Sequence, residues 1–131
     1  AKPKKKIIVI TGDGEALMGL GSLASVAAAK PSNLLVVVLD NEHFGETGMQ
    51  KSHTSSGTDI AKIAIGCGFS DAQTITDYVS LEAYMLTSKE IAGPRLAIIK
   101  ITNENPPRAL PSLDGVYIKN RFRQFLGHKP V

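Results

Sequence analysis

The 131-residue chain holds a single cysteine, Cys67, and no tryptophan. One thiol cannot close an internal disulfide or build a cysteine-based zinc site, so stability must rest on an ordinary hydrophobic core, with Cys67 as a small buried hydrophobe. This sparing cysteine use is what a reducing cytoplasm favours, and a cytoplasmic location is the expectation. No apolar run approaches the roughly 20 residues of a membrane-spanning helix. A strong charge of either sign is also missing: 15 Lys and Arg against 12 Asp and Glu leave +3. Lys2, Lys4, Lys5 and Lys6 crowd the start without arginines or aromatics, and read as a solvated lead-in to a strand, the alternative being a nucleic-acid arm. Neither a nucleic-acid nor a membrane partner is expected. The opening residues are not expected to be a signal peptide, since a strand-like run from Ile7 to Ile10 leads straight into Gly12. His43, His53 and His128 lack metal-ligand spacing. With 43% hydrophobic and 21% charged residues, the composition excludes disorder and suits one globular domain.

What is present is an alternation of strand and helix signals. Ile7–Thr11 is a short β-branched run, as in a strand buried on both faces. A helix is predicted from about Glu15 to Ala29, ended by a turn at Pro31 and Asn33. Leu34–Leu39 forms a second apolar strand that ends at Asp40-Asn41. The stretch from Glu42 to Thr58, rich in Gly, Ser, Thr and His, is long for a connection and reads as a functional loop. Asp59 is placed to cap a helix running to Gly66. A strand near Ala72–Ile75, a helix around Leu81–Ile91, a strand over Arg95–Ile101, a proline-bearing loop and an amphipathic helix over Val116–Leu126 complete the chain. The pattern predicts an α/β fold, a parallel sheet with helices on both faces. Ligands in such sheets lie beyond the carboxyl ends of the strands, which directs attention to Gly12-Asp13-Gly14 and to Asp40 onward.

At Gly12-Asp13-Gly14 a strand ends, two glycines bracket a carboxylate and a helix begins. Glycines permit a sharp turn and close approach to a ligand, and the first helical N–H groups can receive phosphate oxygens. Asp13 would repel a bare phosphate unless a hard divalent cation lay between them. A plain strand–helix turn with a capping Asp is the alternative. The next strand delivers Asn41 at its own carboxyl end, where its side-chain oxygen and the His43 carbonyl can join Asp13 around one ion. As a mere turn residue, Asn41 would need no ion.

Gly12-Asp13-Gly14, the small-residue helix after it, and Leu39-Asp-Asn-Glu-His-Phe-Gly45 together resemble the cofactor motif of thiamine-diphosphate-dependent enzymes. The resemblance implies that Asp13, Asn41 and the His43 carbonyl bind Mg²⁺. It further implies that Gly12, Gly14, Glu15 and Ala16 form the turn and N–H groups around the diphosphate, with Phe44 and Gly45 closing over it. Asp40 stands where many members have Asn, and is not expected to be a metal ligand. Gly19–Ser25, Gly48–Thr54, Pro106–Pro111 and Asp114–Tyr117 are similar to sulfopyruvate and phosphonopyruvate decarboxylase-like members, which implies a lyase that decarboxylates a small 2-oxo acid. The family's activating glutamate lies in a separate pyrimidine-binding domain, and none of Glu15, Glu42, Glu46, Glu82, Glu90 or Glu104 matches it. The resemblance therefore implies that residues 1–131 form one diphosphate-binding domain lacking its N-terminal part. Such a domain works in a homo- or hetero-oligomer with a pyrimidine-binding domain or subunit.

Two further residues are candidates. His53, between Ser52 and Thr54, can face the cofactor and substrate as a catalytic group, or can be a surface loop histidine. Arg108 suits a sulfonate or phosphonate, or is an exposed loop arginine. Rival readings remain. Gly12–Leu17 and Gly19–Ala24 mimic the glycine pattern of dinucleotide-binding oxidoreductases, but the second copy falls inside the helix, where its glycines would serve close helix–sheet packing. A non-catalytic subunit of the same fold, kept for assembly or regulation, is the other alternative.

Overall fold

The computed structural model describes residues 4–87, 92–104, 107 and 109–131. Strand β1 (Ile7–Gly12) runs into helix α1 (Asp13–Met18), then α2 (Ser22–Ala29) and strand β2 (Leu34–Asp40). A two-residue hairpin follows, β3 (His43–Phe44) and β4 (Gln50–Lys51), with 3₁₀ turns at Gly45–Thr47 and His53–Ser56. Helix α3 (Ile60–Cys67), strand β5 (Asp71–Ile75), helix α4 (Tyr78–Thr87), strand β6 (Arg95–Lys100) and helix α5 (Gly115–Phe125) complete the order. The main sheet is parallel throughout, in the order β1-β2-β6-β5.

Alternation along the strands sends side chains to two separate cores. On one face Val38, Leu96 and Ile98 pack with Leu23 and Ala27 of α2, with Ile60, Ala61 and Ala64 of α3, and with Phe69. On the other, Leu35, Val37 and Ala97 pack with Ile75 and with Tyr84 of α4. Apolar strands sandwiched between helix layers bury both faces, which is why they lack a polar alternation. The caps are local. Asp59 accepts from Lys62 N at 2.9 Å to start α3, and Asp77 accepts from Ser80 N at 2.8 Å at the start of α4.

The structure departs from expectation at several points. The first strand is not buried on both faces: among the described residues β1 is the sheet edge, paired with β2 alone, and Ile8, Val9 and Ile10 are 53%, 44% and 67% exposed. In register, Ile8 and Ile10 stand beside Leu35 and Val37, on the α4 face, but outside the cluster that Tyr84 closes. The predicted helix over 15–29 is two helices, divided at Gly19-Leu20-Gly21, where glycine disfavours the helical backbone. Close packing is not what Gly21 provides, since a β-carbon there would meet nothing within 4 Å. The last helix forms where expected, yet none of its residues is buried, and Val116, Tyr117, Phe122 and Phe125 lie exposed. Helix α4 begins three residues earlier than predicted, and the predicted end over residues 88–91 lies outside the described residues.

Candidate functional site

The parallel register puts the site together. Gly12 pairs with Leu39, and Asp40 with Lys100, so Asp13, Asn41 and Lys100 all emerge at the carboxyl ends of adjacent strands. Asp13 opens α1 and is 2% exposed, a carboxylate at the favourable end of a helix. Its Oδ2 accepts a hydrogen bond from Ser52 Oγ, and Thr54 Oγ1 lies 3.3 Å from the same oxygen. Among the described residues Asp13 takes part in no ion pair. A buried carboxylate without a counter-charge is costly, and a bound cation removes that cost.

The chain beyond β2 is held in two successive turns by its own side chains. Asp40 Oδ1 accepts from Glu42 N at 2.9 Å, and Asn41 Oδ1 accepts from His43 N at 3.0 Å. Between them Glu42 sits in the left-handed region at φ 62°, a conformation that disfavours any residue with a β-carbon. It is held there from three sides: by Asp40 at its N–H, by Ser52 N donating to its carbonyl at 2.8 Å, and by Lys100 Nζ at 2.6 Å from Oε1. The Asn41 oxygen keeps a second lone pair after serving His43 N.

The hairpin then folds back over the strand–helix turn. A β-carbon on Gly14 would lie 2.8 Å from Phe44 Cδ1, so the ring rests on the bare glycine backbone. Gly48 at φ 117° and the Met49 N–H bond to Phe44 O, 3.0 Å, close the hairpin. The result is a cleft of about 320 Å³ lined by Gly12, Asp13, Gly14, Glu15, Asn41, His43, Phe44 and Gly45, with Met18, Leu39 and Ile101 as its apolar wall. Eight of the nine residues expected around a cofactor thus line one cavity. Ala16 does not: it packs against the core. Glu15 turns back so that its Oε2 accepts from Gly12 N at 2.6 Å, satisfying an N–H at the start of the helix.

His53 is exposed and stands edge-on to the Phe44 ring, centroids 6.3 Å apart, rather than in the cleft lining. Arg108 lies outside the described residues. Four residues escaped the sequence reading as site elements: Ser52, Thr54, Asp40 and Lys100. Asp40 is 2% exposed and is the centre of a network, accepting from Thr54 Oγ1 at 2.8 Å and pairing with Lys100 Nζ at 2.9 Å. Burial opposes the charge on Lys100, but its hydrogen bonds to the Asp40 and Glu42 carboxylates outweigh this and raise its pKa above the ordinary lysine value. The signal that reveals them is register: a strand ending at Asp40 beside one ending at Lys100 brings opposite charges face to face.

Residues able to give hard oxygen donors line the cleft, the Asp13 carboxylate, the Asn41 amide oxygen and the His43 carbonyl, with Glu15 and Glu46 beside them, and among the described residues no group of three His, Cys, Asp or Glu is placed to hold a metal by itself. Such oxygens suit Mg²⁺ shared with phosphate, and disfavour zinc. Residues 1–101 match the thiamine pyrophosphate enzyme family, C-terminal TPP binding domain. The chain belongs to that family. It is 46% identical over 122 residues to the sulfopyruvate decarboxylase subunit beta of Methanocaldococcus jannaschii, covering 91% of this chain and 63% of that protein. It is 34% identical to the phosphonopyruvate decarboxylase of Streptomyces viridochromogenes, over 97% of this chain and 32% of that protein. The fold superposes on transketolase from Campylobacter jejuni with a TM-score of 0.58 at 16% identity, covering 97% of this chain and 21% of that one. The chain thus spans less than two thirds of the length of these relatives. For this TPP-binding family member, the glycine-pattern rival of a dinucleotide-binding oxidoreductase is set aside.

Proposed function

We propose that this chain is the diphosphate-binding part of a thiamine-diphosphate-dependent decarboxylase acting on a small 2-oxo acid, and that it holds the cofactor through Mg²⁺. The observation that carries the reading is the cleft in which Asp13, Asn41, His43, Phe44 and the two glycines of the turn converge. In this reading Asp13, the Asn41 side-chain oxygen and the His43 carbonyl hold the cation. Gly14, Glu15 and Ala16 offer backbone N–H groups to the diphosphate. Phe44 and Gly45 cover it, while Leu39, Met18 and Ile101 give that side of the cleft an apolar surface. When bound, the cofactor supplies the electron sink that decarboxylation of a 2-oxo acid requires.

The names of the two relatives support the substrate class: sulfopyruvate and phosphonopyruvate are pyruvates that carry a tetrahedral oxyanion, a sulfonate or a phosphonate. Arg108 is the proposed partner for that group, since a guanidinium matches tetrahedral anions. His53, which stands edge-on to Phe44 just outside the cleft lining, is the proposed acid–base group. The activating glutamate and the pyrimidine pocket come from another domain or subunit, in keeping with the relative's designation as a beta subunit.

The test is a calorimetric titration of thiamine diphosphate with and without Mg²⁺, followed by a CO₂-release assay on sulfopyruvate and phosphonopyruvate with the partner present. Binding that needs Mg²⁺, and turnover of one of the two acids, are expected. Metal-independent binding would overturn the site assignment, and binding without turnover of any 2-oxo acid would favour the non-catalytic subunit.

A further inference from the structure

Three carboxylates and one ammonium form a single connected network at the mouth of the sheet. Lys100 Nζ lies 2.9 Å from Asp40 Oδ2 and 2.6 Å from Glu42 Oε1. Asp40 Oδ1 accepts from Thr54 Oγ1 at 2.8 Å, and the same hydroxyl reaches Asp13 Oδ2 at 3.3 Å and Ser52 Oγ at 2.8 Å. Ser52 Oγ in turn donates to Asp13. The ammonium is therefore linked, through its two carboxylate partners, to both halves of the proposed cation site. One arm runs through Asp40 and Thr54 to Asp13. The other runs to Glu42, whose left-handed backbone sets the direction of Asn41 before it and of His43 after it.

The charge count gives this arrangement a purpose. With Lys100 paired to Asp40 and Glu42, Asp13 is the one carboxylate of the network outside its ion pairs. A divalent cation attracted to the cluster is thereby directed to Asp13 rather than shared among three acids. Thr54 and Ser52 meanwhile hold Asp13 through one oxygen, Oδ2. Outer partners of this kind orient ligands and tune metal affinity.

We propose that Lys100 is a positioning residue of the cation site, acting on Asp13 through Asp40 and Thr54, and on Asn41 and His43 through Glu42. This rests on the reading of Asp13, Asn41 and the His43 carbonyl as cation ligands. It assigns no contact between Lys100 and the cofactor.

The experiment uses Mn²⁺ as the probe and reads the factor by which it tightens thiamine diphosphate binding, by calorimetry, in the full chain with whatever subunit copurifies. Thr54→Val changes no charge and is expected to cut that factor about tenfold, with circular dichroism unchanged. Lys100→Met is expected to do the same, and Lys100→Arg, whose fork can span two carboxylates, to recover it to within about threefold. A merely structural lysine would lower thermal stability without changing the Mn²⁺ factor. If Lys100→Met fails to fold, Thr54→Val decides. The inference is overturned if Thr54→Val and Lys100→Met both keep the factor within about twofold of wild type while Asp13→Asn abolishes it. If Asp13→Asn keeps it, or the wild type shows none, the ligand assignment itself falls and the positioning role with it.

Discussion

Substituting Gly14 by alanine separates the demands of folding from those of the site. The new methyl would stand 2.8 Å from Phe44 Cδ1 and 3.0 Å from Cε1, against about 3.5–4.0 Å for relaxed carbon pairs, so the ring must retreat by roughly 1 Å. Overpacking of this kind costs about 1–3 kcal/mol. Phe44 is half-buried on a two-residue strand, so it can give way, and the lower end applies. Against this, alanine gains about 0.5–1 kcal/mol over glycine within a helix. The two nearly cancel, and chemical denaturation should find Gly14→Ala within about 1 kcal/mol of wild type. Cofactor binding should not be spared. The displaced ring lines the cleft, and losing about 1.4 kcal/mol of its contact would weaken binding about tenfold. Calorimetry with thiamine diphosphate and Mg²⁺ reads this loss, and adding Phe44→Leu should recover part of it, because contacting residues couple. An alanine variant that gains the full ~1 kcal/mol of helix propensity and binds the cofactor normally would refute the packing of Phe44 on Gly14.

Further outcomes follow from the same geometry. Asp13→Ala should abolish metal-dependent cofactor binding while far-ultraviolet circular dichroism stays native, because the residue removed is a buried acid with no cation in the ion-pair network. Arg95, 3% exposed, packs 4.2 Å over the Tyr84 ring and pairs with Asp71 at 2.9 Å, at the start of β6 and away from the cleft. Asp71→Asn should therefore cost about 3–5 kcal/mol in denaturant melts without changing cofactor affinity per folded chain. Asp59→Ala should cost about 1 kcal/mol at neutral pH through loss of the α3 cap. The hydrogen bond from Lys62 N holds that carboxyl below its ordinary value of 3.8, so the charge-linked part of this stability is present above that pH and fades as pH falls through the lowered value. Ile10→Lys, on the exposed β1 edge, should reduce self-association in light scattering, since a charge on an open strand edge blocks pairing.

Much of the fold is legible in the sequence itself. Apolar strands announced a sheet covered by helices because burial on both faces removes polar alternation. Asp13 and Asn41 could be placed side by side from sequence because each directly follows a strand, and neighbouring strands of a parallel sheet end together. The misreadings have specific causes. A β-branched run such as Ile7–Thr11 states that a surface is apolar, not that neighbours cover it, and β1 stands at the edge. Gly19 and Gly21 break a helix because backbone freedom outweighs the continuing apolar pattern. Asp40 and Lys100 are 60 residues apart in the chain, and only the strand order, with β6 beside β2, makes them partners. Ser52 and Thr54 stand out only once the hairpin folds back upon Asp13.

The most direct test of the central claim is native mass spectrometry of the protein as purified, with thiamine diphosphate and Mg²⁺ added, alongside Asp13→Ala. The expected spectrum shows the cofactor and one Mg²⁺ per copy of this chain, in an assembly with a pyrimidine-binding subunit, and loss of both when Mg²⁺ is withheld or Asp13 is removed. Cofactor retained equally without Mg²⁺, or retained by Asp13→Ala, would contradict the claim that a cation on Asp13, Asn41 and the His43 carbonyl holds the diphosphate.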